Sequence, residues 1–405
     1  MKDIMPKSFK SDREPWIILP EGDNLFDRSI REGALQCARE RGYSKVTFLD
    51  EGELVQRFTA GRARPDFGEK YAFIQHLRDD RLLRLVRRHD IPAVLLGEDN
   101  VSRWKKLLGG RATVCSIDNE SIGVQGANYF HDRGRYAAFV YADYPKGNRV
   151  DWWTENRWSG FASQLKALGL PKPVRYRFNE FDPESDRAGF AAFLRNLPHP
   201  VAVFACNDRI GARALGAAVA GGLDVPREVA VLGVDNEESV CGNLSVSMSS
   251  IAVDQRRLGR VAMEVMLSMI KRGTRRNRMI LCPPLRVVER ASTRLAGYTD
   301  AAVARAVAYI DGCRGRPTVD GAIAAGGLCR AALFPRFKAA TGRTVGEMIR
   351  KHTLKEVEKL VLDGRLPLMD IAYEVGFPSS ESLCAFFRKA HGMSMREWRD
   401  KKRLA

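Results

Sequence analysis

The stretch from Leu366 to Trp398 carries residues whose types and spacing suit DNA recognition. It reads as an apolar-striped helix, a Gly376-Phe377-Pro378 turn, and a second helix that ends in Arg388 and Lys389. A turn fixed by glycine and proline sets two helices at a defined angle and leaves the second able to enter a DNA major groove. On that second helix Ser380, Glu381 and Cys384 fall on the leading face, and a carboxylate such as Glu381 can accept from a cytosine amino group. Arg388, Lys389 and Arg396 suit phosphate contacts. Glu381 has a second reading, as a first-turn acid favoured by the helix dipole.

Charge agrees with a polyanionic partner. The chain has 405 residues and a formal charge of +17. From Ala385 to Ala405 seven basic residues stand against Glu397 and Asp400, a net of +5, and residues 271–290 carry seven against Glu289, a net of +6. Enzymatic chemistry finds no foothold: there is no phosphate-binding G-x-x-x-x-G-K, no H-E-x-x-H, no G-x-S-x-G and no G-x-G-x-x-G. No catalytic residue, cofactor or metal site is expected. The eight cysteines have no C-x-x-C spacing and read as reduced thiols. No apolar h-region or membrane-spanning run is present, so a cytoplasmic protein without membrane contact is expected.

The elements that must position these residues differ along the chain. From Trp16 to Thr293 short β-like runs alternate with amphipathic helical stretches, the pattern of parallel sheets with crossover helices. Strands are expected at Trp16–Leu19, Ala93–Leu96, Tyr136–Tyr141, Val201–Ala205 and Val229–Val234. Helices are expected at Asp27–Arg41, Asn119–Arg133 and Gly211–Gly221.

Two resemblances follow from particular motifs. Ile371, Ala372, Gly376, Phe377, Ser379, Phe387, Arg388, Lys389, Gly392, Ser394 and Trp398 resemble the AraC/XylS signature, with Leu383 and Met395 departing from it. That resemblance implies two helix-turn-helix units, the first over Thr318–Thr341, joined by a helix over about Thr344–Leu362. In the first unit Arg330, Phe334 and Arg336 become candidate DNA contacts. Pro335 breaks the family pattern, and a proline inside a helix costs about 3 kcal/mol, so this helix should kink or start late.

The other half resembles the effector domain of LacI-type repressors and periplasmic sugar-binding proteins, through Phe204-Ala205-Cys206-Asn207-Asp208 and Val231-Leu232-Gly233-Val234-Asp235-Asn236. By motif, Asp118, Arg157, Asn207 and Asp235 then resemble ligand contacts, with Phe26 and Trp153 as aromatic faces for a sugar ring. Read singly, Asn207 could be a helix N-cap and Asp118 a turn residue. The combination resembles the XylR-like regulators.

The resemblances together imply an α/β two-lobed periplasmic-binding-protein-like effector domain followed by an all-α domain with two helix-turn-helix units. The expected division is a flexible N-terminus over 1–13, an effector domain over 14–294 and a reader over 295–405. The expected function is sugar-controlled, sequence-specific transcription regulation, activating rather than repressing. Its partners would be double-stranded DNA, a monosaccharide such as xylose or a related pentose, RNA polymerase, and a second copy in a homodimer. A sugar carrier and a sugar-active enzyme are the rivals.

Overall fold

The computed structural model describes residues 14–404 apart from 23–24, 60–69, 78, 98–105, 110–112, 135, 145–151, 180–182, 274–277, 295–297, 299, 314 and 365. The expected flexible terminus 1–13, and Arg275 and Arg276 of the internal basic run, lie outside the described residues.

Two six-stranded sheets build the first two-thirds of the chain. The first contains β1 (Trp16–Pro20), β2 (Val46–Leu49), β3 (Tyr71–Gln75), β4 (Ala93–Leu96), β5 (Thr113–Ile117) and β11 (Arg278–Cys282), in the order β11-β5-β4-β3-β1-β2. The second contains β6 (Ala138–Asp143), β7 (Val174–Arg177), β8 (Val201–Ala205), β9 (Val229–Asp235), β10 (Ser249–Ala252) and β12 (Val287–Val288), in the order β12-β10-β9-β8-β6-β7. All pairings are parallel except β10 with β12. Parallel strands lie buried between helices, which is why β4 and β8 read as continuous apolar runs rather than alternations.

The chain passes between the lobes three times: after β5, after β10 and after β11. These crossings are hydrogen-bonded to one another, Asp118 N to Cys282 O at 2.9 Å and Leu285 N to Ala252 O at 2.8 Å, so they form one hinge. Each lobe is braced by a close helix crossing. In the first, a Cβ on Gly33 would strike the Arg256 carbonyl and one on Gly259 the Ile30 carbonyl. In the second, Gly123 faces the Arg157 carbonyl and Gly160 the Glu120 carbonyl.

Several local boundaries differ from expectation, and the helix expected over Asp27–Arg41 runs Leu25–Glu40. The strand expected from Tyr136 begins at Ala138, and the buried Tyr136 ring precedes it. The helix expected from Gly211 begins at Asp208, because the Asn207 side chain caps it. The helix containing Pro335 runs Arg330–Thr341 without interruption, so it does not start late.

From Ala301 onward the regular elements among the described residues are all helices. The helices are Ala301–Gly312, Val319–Gly326, Arg330–Thr341, Val345–Asp363, Leu368–Val375, Ser380–His391 and Met395–Leu404. Leu333, Phe337 and Val345 fill one small core; Leu383, Phe387 and Met395, each fifty positions later, fill another. The capping pair Thr344 and Glu347 recurs at the same offset as Ser394 and Glu397. Helix Val345–Asp363 joins the units, giving Met348 and Ile349 to the first core and Val357 and Val361 to the second. Among the described residues no helix is long and apolar enough to cross a membrane.

Candidate functional site

The carboxyl ends of both sheets open on one cleft of about 510 Å³. Phe26 and Asp27 follow β1, His76 follows β3 and Ser116 lies at the end of β5, forming the first-lobe wall, while Asn119, past the β5 crossing, starts helix Asn119–Arg133. Tyr144 after β6, Asn207 after β8, Asp235 at the end of β9, and Trp152, Trp153 and Arg157 on helix Trp152–Ala167 form the opposite wall. Doubly wound sheets collect ligands at this edge because strand ends and helix starts leave polar backbone and side chains there.

Arg157 is the centre of the site and is only 6% exposed. Its Nε donates to Asn119 Oδ1 at 2.9 Å, its Nη1 donates to the Cys206 carbonyl, and its Nη2 lies 3.8 Å from Asp235 Oδ1. The guanidinium carbon sits 4.8 Å from the centre of the Trp153 ring, one helical turn earlier. A planar donor array held on three sides in this way presents fixed hydrogen bonds to a polyol.

Asp235 has φ +107°, a left-handed conformation that non-glycine residues avoid, which points to a position constrained by its surroundings. Burial, partly offset by Arg157 and reinforced by Asp208 and Glu237, pushes its carboxyl up to about 7. Asn207 lines the cleft and caps the following helix at once, its Oδ1 accepting from Ile210 N at 2.9 Å.

Asp118 is placed otherwise than expected. Its carboxylate caps helix Asn119–Arg133, accepting from Ser121 N at 3.0 Å and Ser121 Oγ at 2.6 Å, and it is not among the residues lining the cleft. The next residue, Asn119, takes that position. His76 and Asp27 were not anticipated. His76 Nδ1 lies 2.9 Å from the Leu96 carbonyl oxygen, which can only accept, so Nδ1 carries hydrogen; Nε2 lies 3.1 Å from Asp27 Oδ1. His76 stands just past the end of β3 and Asp27 in the first turn of the helix after β1, and those positions were the one signal available for them.

In the second helix-turn-helix, Ser379 caps the recognition helix, and Glu381, Arg388, Lys389 and Arg396 are exposed. Glu381 is held below its usual range by its own backbone N–H and the Ser379 and Ser380 hydroxyls, the behaviour of a helix-start acid. Its exposure leaves the carboxylate able to meet a base. Ser380 is partly buried, and its hydroxyl donates to Glu381 at 3.2 Å. Cys384 packs partly against the second core. In the first unit Phe334 likewise packs against its core with the Arg330 guanidinium 5.3 Å above the ring, while Arg336 lies 3.7 Å from Asp300.

Comparison with known proteins places the chain. A 267-residue stretch, 65% of the chain, is 30% identical to the xylose operon regulatory protein of Escherichia coli (strain K12) and covers 67% of that protein. The chain belongs to the xylose operon regulatory protein family. The family member from Haemophilus influenzae is 27% identical over 389 residues, 94% of this chain and 97% of that one. The periplasmic binding protein-like domain profile matches residues 127–293, and the helix-turn-helix domain profile matches residues 324–401. A solved xylose-binding transcription activator shares the fold with a TM-score of 0.57 at 24% identity, over 96% of this chain and 98% of that one. Within this family the chain is a sugar-responsive, DNA-binding transcriptional regulator. The sugar-carrier reading gives way, and the relatives are regulators rather than enzymes.

Proposed function

We propose that the effector is xylose or a related pentose, bound between the lobes by Phe26, Trp153, Arg157, Asn207 and Asp235, with Asn119 where Asp118 was expected. The observation carrying this reading is the Arg157 guanidinium, stacked on Trp153 and set between Asn119 and Asp235 where the two lobes meet. Arg330, Ser380 and Glu381 read base edges, Phe334 and Cys384 support those faces from the cores, and Arg336, Arg388, Lys389 and Arg396 hold phosphates. The working division is an effector domain over 14–294 and a reader over 295–405. Two copies act as a homodimer in the cytoplasm, and the sugar-loaded form activates by recruiting RNA polymerase rather than repressing. Non-enzymatic action fits the absence of any catalytic motif.

Sugar can change DNA binding only through its differential affinity for the open and closed lobes. The test is fluorescence anisotropy with DNA from upstream of the protein's own gene, with and without xylose and a panel of other sugars. Sequence-selective binding that one pentose alters is the expected outcome. Binding indifferent to every sugar, with no sugar raising the melting temperature, would sink the proposal.

A further inference from the structure

Helix Asn119–Arg133 touches the sugar cleft at one end and the DNA reader at the other. Its fifteen residues span about 22 Å. At the cleft end Asn119 accepts from Arg157, and the capping residue Asp118 is bonded through its backbone to Cys282 in the hinge. Gln125 Nε2 also donates to the Leu285 carbonyl at 2.7 Å, so the helix is tied to the crossings that lobe closure must bend.

At the far end the last two residues meet the reader with opposite charges. Asp132 accepts from Lys351 on the joining helix and lies 3.6 Å from both Arg343 and Lys355. Arg133 pairs with Asp311 on the reader's first helix and with Glu289 on the effector side. An acid in the last turn opposes the helix dipole, so Asp132 is tolerable there because reader cations surround it. Burial pushes the Asp132 carboxyl up, but the Lys351 hydrogen bond and the three cations outweigh it and hold it below its usual range. Asp132, Arg133, Glu289 and Lys351 are partly buried, which limits screening by salt. Lys351 and Lys355 stand one helical turn apart, offering Asp132 two partners along the same helix, and packed interfaces switch between such discrete arrangements rather than deforming smoothly.

We propose that Asp132 and Arg133 form an ionic latch through which the cleft sets the position of the reader. Lobe closure moves the helix at its Asn119 end and changes which joining-helix cations Asp132 engages. This rests on the reading that a sugar occupies the cleft.

The test uses the full chain, with xylose affinity by calorimetry and operator affinity by anisotropy with and without xylose. Asp132→Asn and Lys351→Met should each keep the xylose Kd within about twofold. Each should also reduce the sugar-dependent change in operator Kd from the roughly 5- to 150-fold typical of coupled sites to under about twofold. The charge swap Asp132→Lys with Lys351→Asp should recover most of that response. Should Asp132→Asn fail to fold, Lys355→Ala together with Lys351→Met carries the same test from the more exposed partner. Singles that retain the full sugar response, or a swap that behaves as the sum of its singles, overturn the latch. A wild-type chain whose operator affinity ignores sugar overturns the regulatory reading itself, and the control arm shows this before any variant is measured.

Discussion

Asp235 and Arg157 face each other across 3.8 Å, and the carboxyl nonetheless sits near 7, because burial outweighs the guanidinium's pull. A sugar hydroxyl donates to the ionised carboxylate, so binding favours the deprotonated form and a proton must leave wherever Asp235 still holds one. Xylose affinity is therefore expected to rise with pH through 7 and level off above it, by about tenfold between pH 6 and pH 8 for one proton. Calorimetry in buffers of different ionisation heat measures both the affinity and the released proton, and Asp235→Asn should flatten the profile. Arg157, Asn207 and Asp235 all line the cleft, Asn207 and Asp235 from strand ends and Arg157 from a helix, and were singled out by motif resemblance. His76 and Asn119 were not: a single histidine after an apolar strand looks like a packed core residue, and Asn119 was hidden behind an aspartate with the same local motif. Which of two neighbouring side chains caps the helix and which faces the ligand depends on backbone geometry that spacing does not specify.

Elements hold this chemistry in place through close contact. Gly123 lies so near helix Trp152–Ala167 that an added Cβ would sit 2.1 Å from the Arg157 carbonyl oxygen, and Gly160 repeats the contact from the other side. Gly123→Ala must push the two helices apart, moving Arg157 relative to Asn119. The expected cost is about 1–3 kcal/mol of stability in thermal denaturation, together with weakened sugar binding. Pro335 is the opposite case, a residue whose removal should help. The helix runs through it despite the missing N–H, so Pro335→Ala should raise the melting temperature, by up to about 3 kcal/mol of stability. Operator affinity that falls while stability rises would assign the proline a role in shaping the first recognition helix. The second helix-turn-helix was legible from Gly376, Pro378 and apolar spacing, and the first through the AraC/XylS resemblance. The course of the helix through Pro335 was not, because propensity penalises the residue while Leu333 and Phe337, both buried, hold the helix against its core.

At the scale of the whole molecule the balance of +17 must be divided between stabilising the fold and holding DNA. Many basic side chains are already engaged within the protein: Arg133 with Glu289 and Asp311, Arg175 with Asp143 and Glu155, and Arg260 with Glu40. Those charges have no counterions to release on DNA binding and contribute little to its salt dependence. Arg388, Lys389 and Arg396 are exposed on the recognition helix and the segment after it, where a phosphate would displace their counterions. Lys389→Ala should then weaken binding to all sequences alike and reduce the slope of log affinity against log salt by about 1. Glu381→Ala should leave that slope unchanged and alter preference at a single base pair by about 1–3 kcal/mol. Anisotropy titrations of both variants across a salt series, on the operator and on a scrambled duplex, separate the two effects. Equal loss on both duplexes for Glu381→Ala would leave that residue only its place at the start of the helix.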